Sequence, residues 1–282
     1  MSGFELAEAE DETQEALTAA LALREALEVP GRTAALVTPD AGLARRVSAA
    51  LERWGIECPP SEGVPLALLP NGAALSSLLA WASEPPDPAA FLSFLHALPG
   101  AFGATRQAFR AQRSALEVHW LRGPIVWRDT AGMAAFLGGK PRQALGLDPE
   151  RHAVRIARLE AAGAAGQTLF FQLWSIFSPL LVPERDNWTG QTLTGLISAL
   201  EAVTGANALW SGPSGEALAT VVSRARAMLD QTGGASPHDV ASLVRRETLG
   251  AIVNQAGLGH PRLSIWGPLE ARLQSRDLFV LA

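Results

Sequence analysis

Cysteine is almost absent from this sequence: Cys58 stands alone among 282 residues. One thiol excludes a disulfide framework and a cysteine-ligated zinc or iron–sulfur centre within these residues, and a reducing, cytoplasmic setting is expected. With no CxxC and no basic cluster beside it, Cys58 reads as a small apolar core residue. Long apolar runs are missing too. No stretch reaches the roughly 18 consecutive apolar residues of a membrane span, and the opening MSGFELAEAEDETQ has no basic segment leading into an apolar one, so no membrane partner is expected. The five histidines, His96, His119, His152, His238 and His260, fall at no metal-ligand spacing. Phosphate-loop chemistry is also lacking. AAFLGGKP has alanine, Ala134, where the first glycine of such a loop belongs, and Pro141 follows Lys140 where a hydroxyl residue would hold magnesium. GPSGE fails the nucleophile-elbow spacing at Glu216.

Lysine is nearly missing as well, since 22 of the 23 basic residues are arginine. The net charge of −5 argues against a bulk polyanion binder, yet it hides an asymmetry. Residues 1–30 carry eight acids and one arginine, whereas residues 101–158 carry nine arginines and Lys140 against four acids, a local charge of +6. A partner bearing phosphates would be met in that middle stretch. The other reading of these arginines is solvated helix faces in an arginine-preferring sequence. Of the eight tryptophans, Trp54, Trp81 and Trp174 fall on apolar helix faces, whereas Trp120, Trp127 and Trp188, near arginines and loops, are open to base stacking or to core.

Periodicity organises the chain. Asp11 is placed to cap a helix ending before Pro30 and Gly31, with Ala16, Leu17, Ala20, Leu21 and Leu27 at helical spacing. TAALVTPD then reads as a strand and turn, AGLARRVSAALERWG as a helix presenting Leu43, Val47, Ala50, Leu51 and Trp54, and IECPP as a further short strand. Residues 66–98 predict two helices parted by EPPDP. Residues 100–257 read as helices throughout, among them ATRQAFRAQRSALEVHWL, PERHAVRIARLEAAGAAG, QTLFFQLWSIFSPLL, TLTGLISALEAVTG and GEALATVVSRARAMLDQTG. The last 23 residues return to strand, turn, helix and strand. The expected fold class is therefore α/β: a discontinuous parallel sheet domain built from both chain ends (1–99 and 258–282), with a large all-helical insertion (100–257). The closing run Leu278, Phe279, Val280 and Leu281 predicts a strand buried on both faces, and a chain halting there reads as an internal piece of a longer protein.

TAALVTPDAGLARRVSAALERWGI and HPRLSIWGPLEARLQSRDLFVLA resemble the AddB subunits of bacterial AddAB helicase-nucleases, which process double-strand DNA breaks for recombination. The resemblance covers both ends of the chain and fades in the helical middle. It implies the second RecA-like domain (2A) of a superfamily 1 helicase, interrupted by a helical 2B insertion. In that family the last strand runs on into a GLNEG-x-WP segment. EDETQEA, GIECPPSEGVPL and DPAAFLSFLHALPGAFG resemble the flanking segments, and SIWGPLEAR stands in place of motif V, giving Ile265, Trp266, Gly267 and Glu270 as the motif V-like residues.

Departures from the family pattern limit what is implied. Where motif IV carries an arginine for the nucleotide phosphates, this strand ends in Val37, Thr38 and Pro39. The resemblance therefore implies no complete ATPase or nuclease site here and no cofactor in these residues; ATP, magnesium and an iron–sulfur cluster would belong to the parent complex. The expected role is holding DNA, as single strand or duplex end, and assembling with an AddA-like helicase-nuclease subunit. Candidate phosphate contacts are Arg106, Arg110 and Arg113, which share a helix face, then Arg122 and Arg128, with Arg45, Arg46 and Arg272 on the sheet domain. The alternative is a protein-interaction module that docks a helicase or nuclease without touching DNA, favoured by the acidic first helix. A small-molecule α/β enzyme is the least supported reading.

Overall fold

Asp11 and Asp40 start the two helices against which the sheet is laid. The computed structural model describes residues 3–125, 127–181, 187–254 and 259–282. It divides into two compact units, residues 1–64 with 252–282, and residues 65–251. The first holds α1 (Glu12–Glu28), β1 (Ala34–Val37), α2 (Ala41–Glu52), β3 (Ile252–Val253), β4 (Leu263–Trp266) and β5 (Leu278–Leu281); the short β2 (Val64–Pro65) lies at its border and pairs with β3. The second holds α3 (Pro70–Ser83), α4 (Pro88–Ala97), α5 (Arg106–Leu116), α6 (Thr130–Gly138), α7 (Pro149–Phe177), α8 (Gly190–Thr204), α9 (Ala206–Trp210), α10 (Gly212–Thr232) and α11 (Pro237–Gly250). The expected boundaries at 99/100 and 257/258 are thus corrected at the first crossing to 64/65, because α3 and α4 pack among the helices of the second unit; the other expected boundary lies outside the described residues.

In the first unit the Asp11 carboxylate accepts from the N–H groups of Thr13 and Gln14, both at 2.8 Å, and Glu12 and Glu15 occupy the positive end of α1. The face that α1 buries is Ala16, Ala19, Ala20, Leu23 and Ala26, rotated from the expected one, so Leu17 and Leu21 stand exposed. Small side chains on that face let α1 lie close to α2, which buries Leu43, Val47, Ala50 and Leu51 as its pattern predicts. The guanidinium of Arg262 donates to the carbonyls of Leu27 and Val29, at 3.1 and 2.9 Å, and so satisfies the end of α1 from the far end of the chain.

The sheet has the order β4-β1-β5, all parallel, with Ala34 opposite both Leu263 and Leu278 and Val37 opposite both Trp266 and Leu281. A parallel, discontinuous sheet assembled from both chain ends is therefore present. Three local expectations are corrected. IECPP forms a single bridge, Pro60 to Ile265, because Pro59 and Pro60 have no N–H to extend a ladder. Residues 268–273 between β4 and β5 form turns instead of a helix, and Leu273 takes a left-handed backbone (φ 64°) that ends any helical course. Finally, β5 is an edge strand: Phe279 is 40% and Leu281 74% exposed, so it is not buried on both faces.

The second unit is centred on aromatic packing. Trp81 stacks on Phe94 at 5.1 Å, tilts against Phe91 at 5.0 Å and meets the edge of Phe177 at 5.5 Å, which joins α3, α4 and α7. Its indole N–H donates to Pro85 O at 3.2 Å, inside the proline-rich turn between α3 and α4. Two expected helices, 149–166 and 167–181, are one: α7 runs unbroken through AAGAAG, since alanine is a strong helix former and both glycines are needed for packing. A Cβ at Gly166 would run into the Leu116 backbone, and one at Gly163 would lie 2.6 Å from the Trp120 ring. Helix α5 can lie against α7 only because these positions are bare. After α5 the chain widens into a π-turn over Glu117–Leu121, closed by the Arg122 N–H on Glu117 O at 3.0 Å, which sinks Trp120 into the core. Helices α6 and α11, which the periodicity did not single out, are started by Asp129 and Ser236 side chains.

Two predictions follow from this packing. Gly166→Ala pushes backbone against backbone and should cost about 1–3 kcal/mol, read as a shifted denaturant midpoint; an unchanged midpoint would refute the close α5–α7 contact. The second concerns the start of β5, where the Asp277 carboxylate accepts from the N–H and the hydroxyl of Thr33, both at 2.8 Å. These two bonds, backbone first, with the Arg32 charge helping, hold Asp277 below its ordinary pKa of 3.8. The depressed value favours the fold above the ordinary carboxylate pKa, and that contribution disappears as pH falls through the folded value. An NMR titration should place the Asp277 midpoint below that of an unstructured aspartate, and Thr33→Val should move it part of the way back.

Candidate nucleic-acid interface

Helix α5 begins at Thr105, whose hydroxyl accepts from the Ala108 N–H at 3.2 Å, and it buries only Phe109 and Leu116. The flank beside that buried face is left to arginine. Arg106 and Arg110 are exposed, one turn apart, and neither meets a carboxylate among the described residues. Arg113 continues the spacing but not the role: it is half-buried, donates to His96 O at 3.4 Å and lies over the Phe109 ring at 5.9 Å. Arg122 is exposed, with its Nε 3.8 Å from the Glu117 carboxylate, which also meets His96 Nε2 at 3.1 Å. Arg128 is exposed just ahead of α6. Of the five candidates in this unit, Arg106, Arg110 and Arg128 therefore meet no carboxylate among the described residues.

In the first unit, Thr38, Ala41, Arg45, Glu62, Trp266 and Gly267 line a crevice at the carboxyl ends of β1 and β4. Open parallel sheets bind ligands at such ends. Here the space is about 10 Å³, the room of one water molecule. Arg45 is exposed at its rim, whereas Arg46 is engaged by Glu12 at 3.0 Å and Asp40 at 3.5 Å. Arg272 is exposed on the turn between β4 and β5. Thr38, just past the end of β1, is buried; its N–H donates to Trp266 O at 3.0 Å and its hydroxyl accepts from the Asp40 N–H at 3.0 Å.

The motif V-like residues are structural in these surroundings. Ile265 belongs to the core, and the Arg276 guanidinium lies 4.7 Å over the Trp266 ring. The Glu270 carboxylate accepts from the Gly267 N–H at 3.3 Å and from the Ser61 hydroxyl, tying the turn at residues 61–63 to the end of β4. Glu62 fills the space where a Cβ on Gly267 would go. Arg262, Arg276 and Glu62 were not singled out in the sequence, since the carbonyls that engage Arg262 and the bare Gly267 beside Glu62 lie more than 200 residues away, and Arg276 reaches the Trp266 ring from a non-helical segment that periodicity does not predict.

Other sequence features resolve into packing. Trp120, Trp127 and Trp188 are buried, so none offers a face for a base to stack on. The GGKP turn aims the carbonyls of Gly138 and Gly139 at the Gln167 amide, at 2.9 and 3.0 Å, a polarity opposite to that of an anion cradle. Cys58 is buried and its thiol is pushed up to about 12 by desolvation. Among the described residues no three His, Cys, Asp or Glu side chains gather as for a metal ion, and no helix is long and apolar enough to cross a membrane.

The sequence matches no model of a known protein family and no curated protein.

If Glu270 is a strut, Glu270→Ala should lower stability by about 1 kcal/mol, the scale of a hydrogen bond to an exposed charged group, and leave nucleic-acid affinity unchanged. Chemical denaturation together with a binding titration checks both halves.

Proposed function

We propose that this chain holds DNA by its phosphates within a larger break-repair assembly, as the 2A and 2B region of an AddB-like subunit. The observation that carries the reading is the exposed pair Arg106 and Arg110 on α5, which meets no carboxylate among the described residues, in a chain whose net charge is −5. Two free guanidiniums one turn apart suit phosphate contacts, which are tolerant of sequence and sensitive to salt. The split parallel sheet supports a RecA-like assignment for the first unit, and the helical residues 65–251 then correspond to the 2B insertion.

Under this reading the chain's own work is positioning. Its strand-end crevice has one exposed arginine at the rim and room for about one water, so no nucleotide step is assigned to it. ATP, magnesium and the iron–sulfur cluster belong, in this proposal, to the parent complex, along with an AddA-like partner and a cytoplasmic setting. A second reading, docking of a protein partner without DNA contact, is favoured by one observation: Phe279 and Leu281 stand exposed on the edge strand β5.

Fluorescence anisotropy with a labelled DNA hairpin carrying a single-stranded tail separates the two. The DNA-holding reading expects binding that weakens steeply from 50 to 200 mM salt, and an affinity at least about tenfold lower for Arg106→Glu with Arg110→Glu. Absence of binding at 50 mM salt would favour the docking reading.

A further inference from the structure

Helix α7 carries a second arginine stripe at the spacing found on α5. Arg151, Arg155 and Arg158 recur four and three residues apart; the helix is kinked at His152 (φ −122°, ψ 20°), and Arg155 and Arg158, which follow the kink, share one side of the regular helix. The half of α7 that bears them stands out from the core: between Asp148 and Ala162 only Ile156 is buried, and Val154 is 78% exposed. Asp148 caps this end, accepting from the N–H groups of Glu150 and Arg151, and lies 3.5 Å from Arg151 Nε. Arg155 and Arg158 meet no carboxylate among the described residues. Glu160, two residues beyond Arg158, points to another side of the helix.

We infer that this stripe is a second nucleic-acid contact, taking successive phosphates of one strand. The inference rests on the DNA-holding reading above and adds a site to it. Three residues of regular helix separate Arg155 from Arg158, a rise of about 4.5 Å, and Arg151 lies before the kink at His152. A strand of a duplex presents a phosphate about every 3.4 Å along the axis, so the two flexible guanidiniums of Arg155 and Arg158 over that length meet about two phosphates. An acidic protein partner fits less well, because residues 149–162 offer no aromatic anchor of the kind that dominates protein interfaces. Packing does not explain the stripe either, since its side chains contribute nothing to the core.

The test uses the full chain and a labelled duplex with a single-stranded tail, titrated between 50 and 200 mM salt. Arg155→Gln with Arg158→Gln is compared with Arg245→Gln with Arg246→Gln, a pair of equal charge change on exposed positions of α11. The first pair should reduce the slope of log affinity against log salt by about 1.8 if duplex is held there, or about 1.4 if single strand is; the control pair should leave the slope unchanged. A wild-type slope in the Arg155/Arg158 variant, with the Arg106/Arg110 variant impaired, would overturn this inference and leave the DNA-holding reading standing. No salt-dependent binding by the unaltered chain would overturn both. Competition by poly-glutamate as effective as that by an oligonucleotide of equal charge would also overturn it, since the surface would then respond to charge alone.

Discussion

The first unit depends on one pairing: β1 is hydrogen-bonded on one edge to β4 and on the other to β5, and both partners come from more than 220 residues further along the chain. Neither α1 nor α2 has a sheet to cover until those strands return. Ala34 and Leu36 then join Leu263 and Ile265 in a single core with Leu23, Val47 and Leu51. Two polar clamps fix the same junction, Arg262 on the carbonyls at the end of α1 and Asp277 on Thr33. Both act at the amino ends of the strands, which leaves the carboxyl ends to the small crevice held by Glu270 and Glu62.

The helical unit is organised locally. Its aromatic centre draws on α3, α4 and α7, and the bare positions Gly163 and Gly166 bring α5 against the middle of α7. That arrangement has a consequence for charge. Helix α5 buries Phe109 and Leu116 and leaves Arg106 and Arg110 exposed beside them, while the leading half of α7 extends past its packed half and leaves Arg155 and Arg158 without a carboxylate partner among the described residues. Exposure of unpaired arginine in an acidic chain is the common physical theme of the two surfaces, and phosphate is the ligand chemistry it suits.

Much of this was legible in the sequence where a local rule decides the outcome. Asp11 caps the helix that follows, EPPDP parts two helices, and the returning strand pattern at the far end signalled a sheet made from distant pieces. What escaped was set by partners that no local pattern identifies. Arg113 and Arg46 share the composition and spacing of free arginines, yet His96 O and the Glu12 and Asp40 carboxylates occupy them. AAGAAG looked like a helix end because glycine usually weakens helices, but here tertiary packing requires it. The exposed edge of β5 and the turn at residues 268–273 likewise depend on which neighbour a strand finds. Arg106 and Arg110, which meet no carboxylate among the described residues, stand exposed one turn apart.

Native-state hydrogen exchange tests the central structural claim, that the two chain ends make one cooperative sheet. The amides of Ala34, Leu36 and Thr38 and those of Leu263–Trp266 should exchange through a common opening, with the same free energy and the same response to denaturant as the amides inside α1 and α2. Protection of residues 12–52 that persists after residues 263–266 have opened would contradict it, because those residues would then fold without the strands on which this account makes them depend.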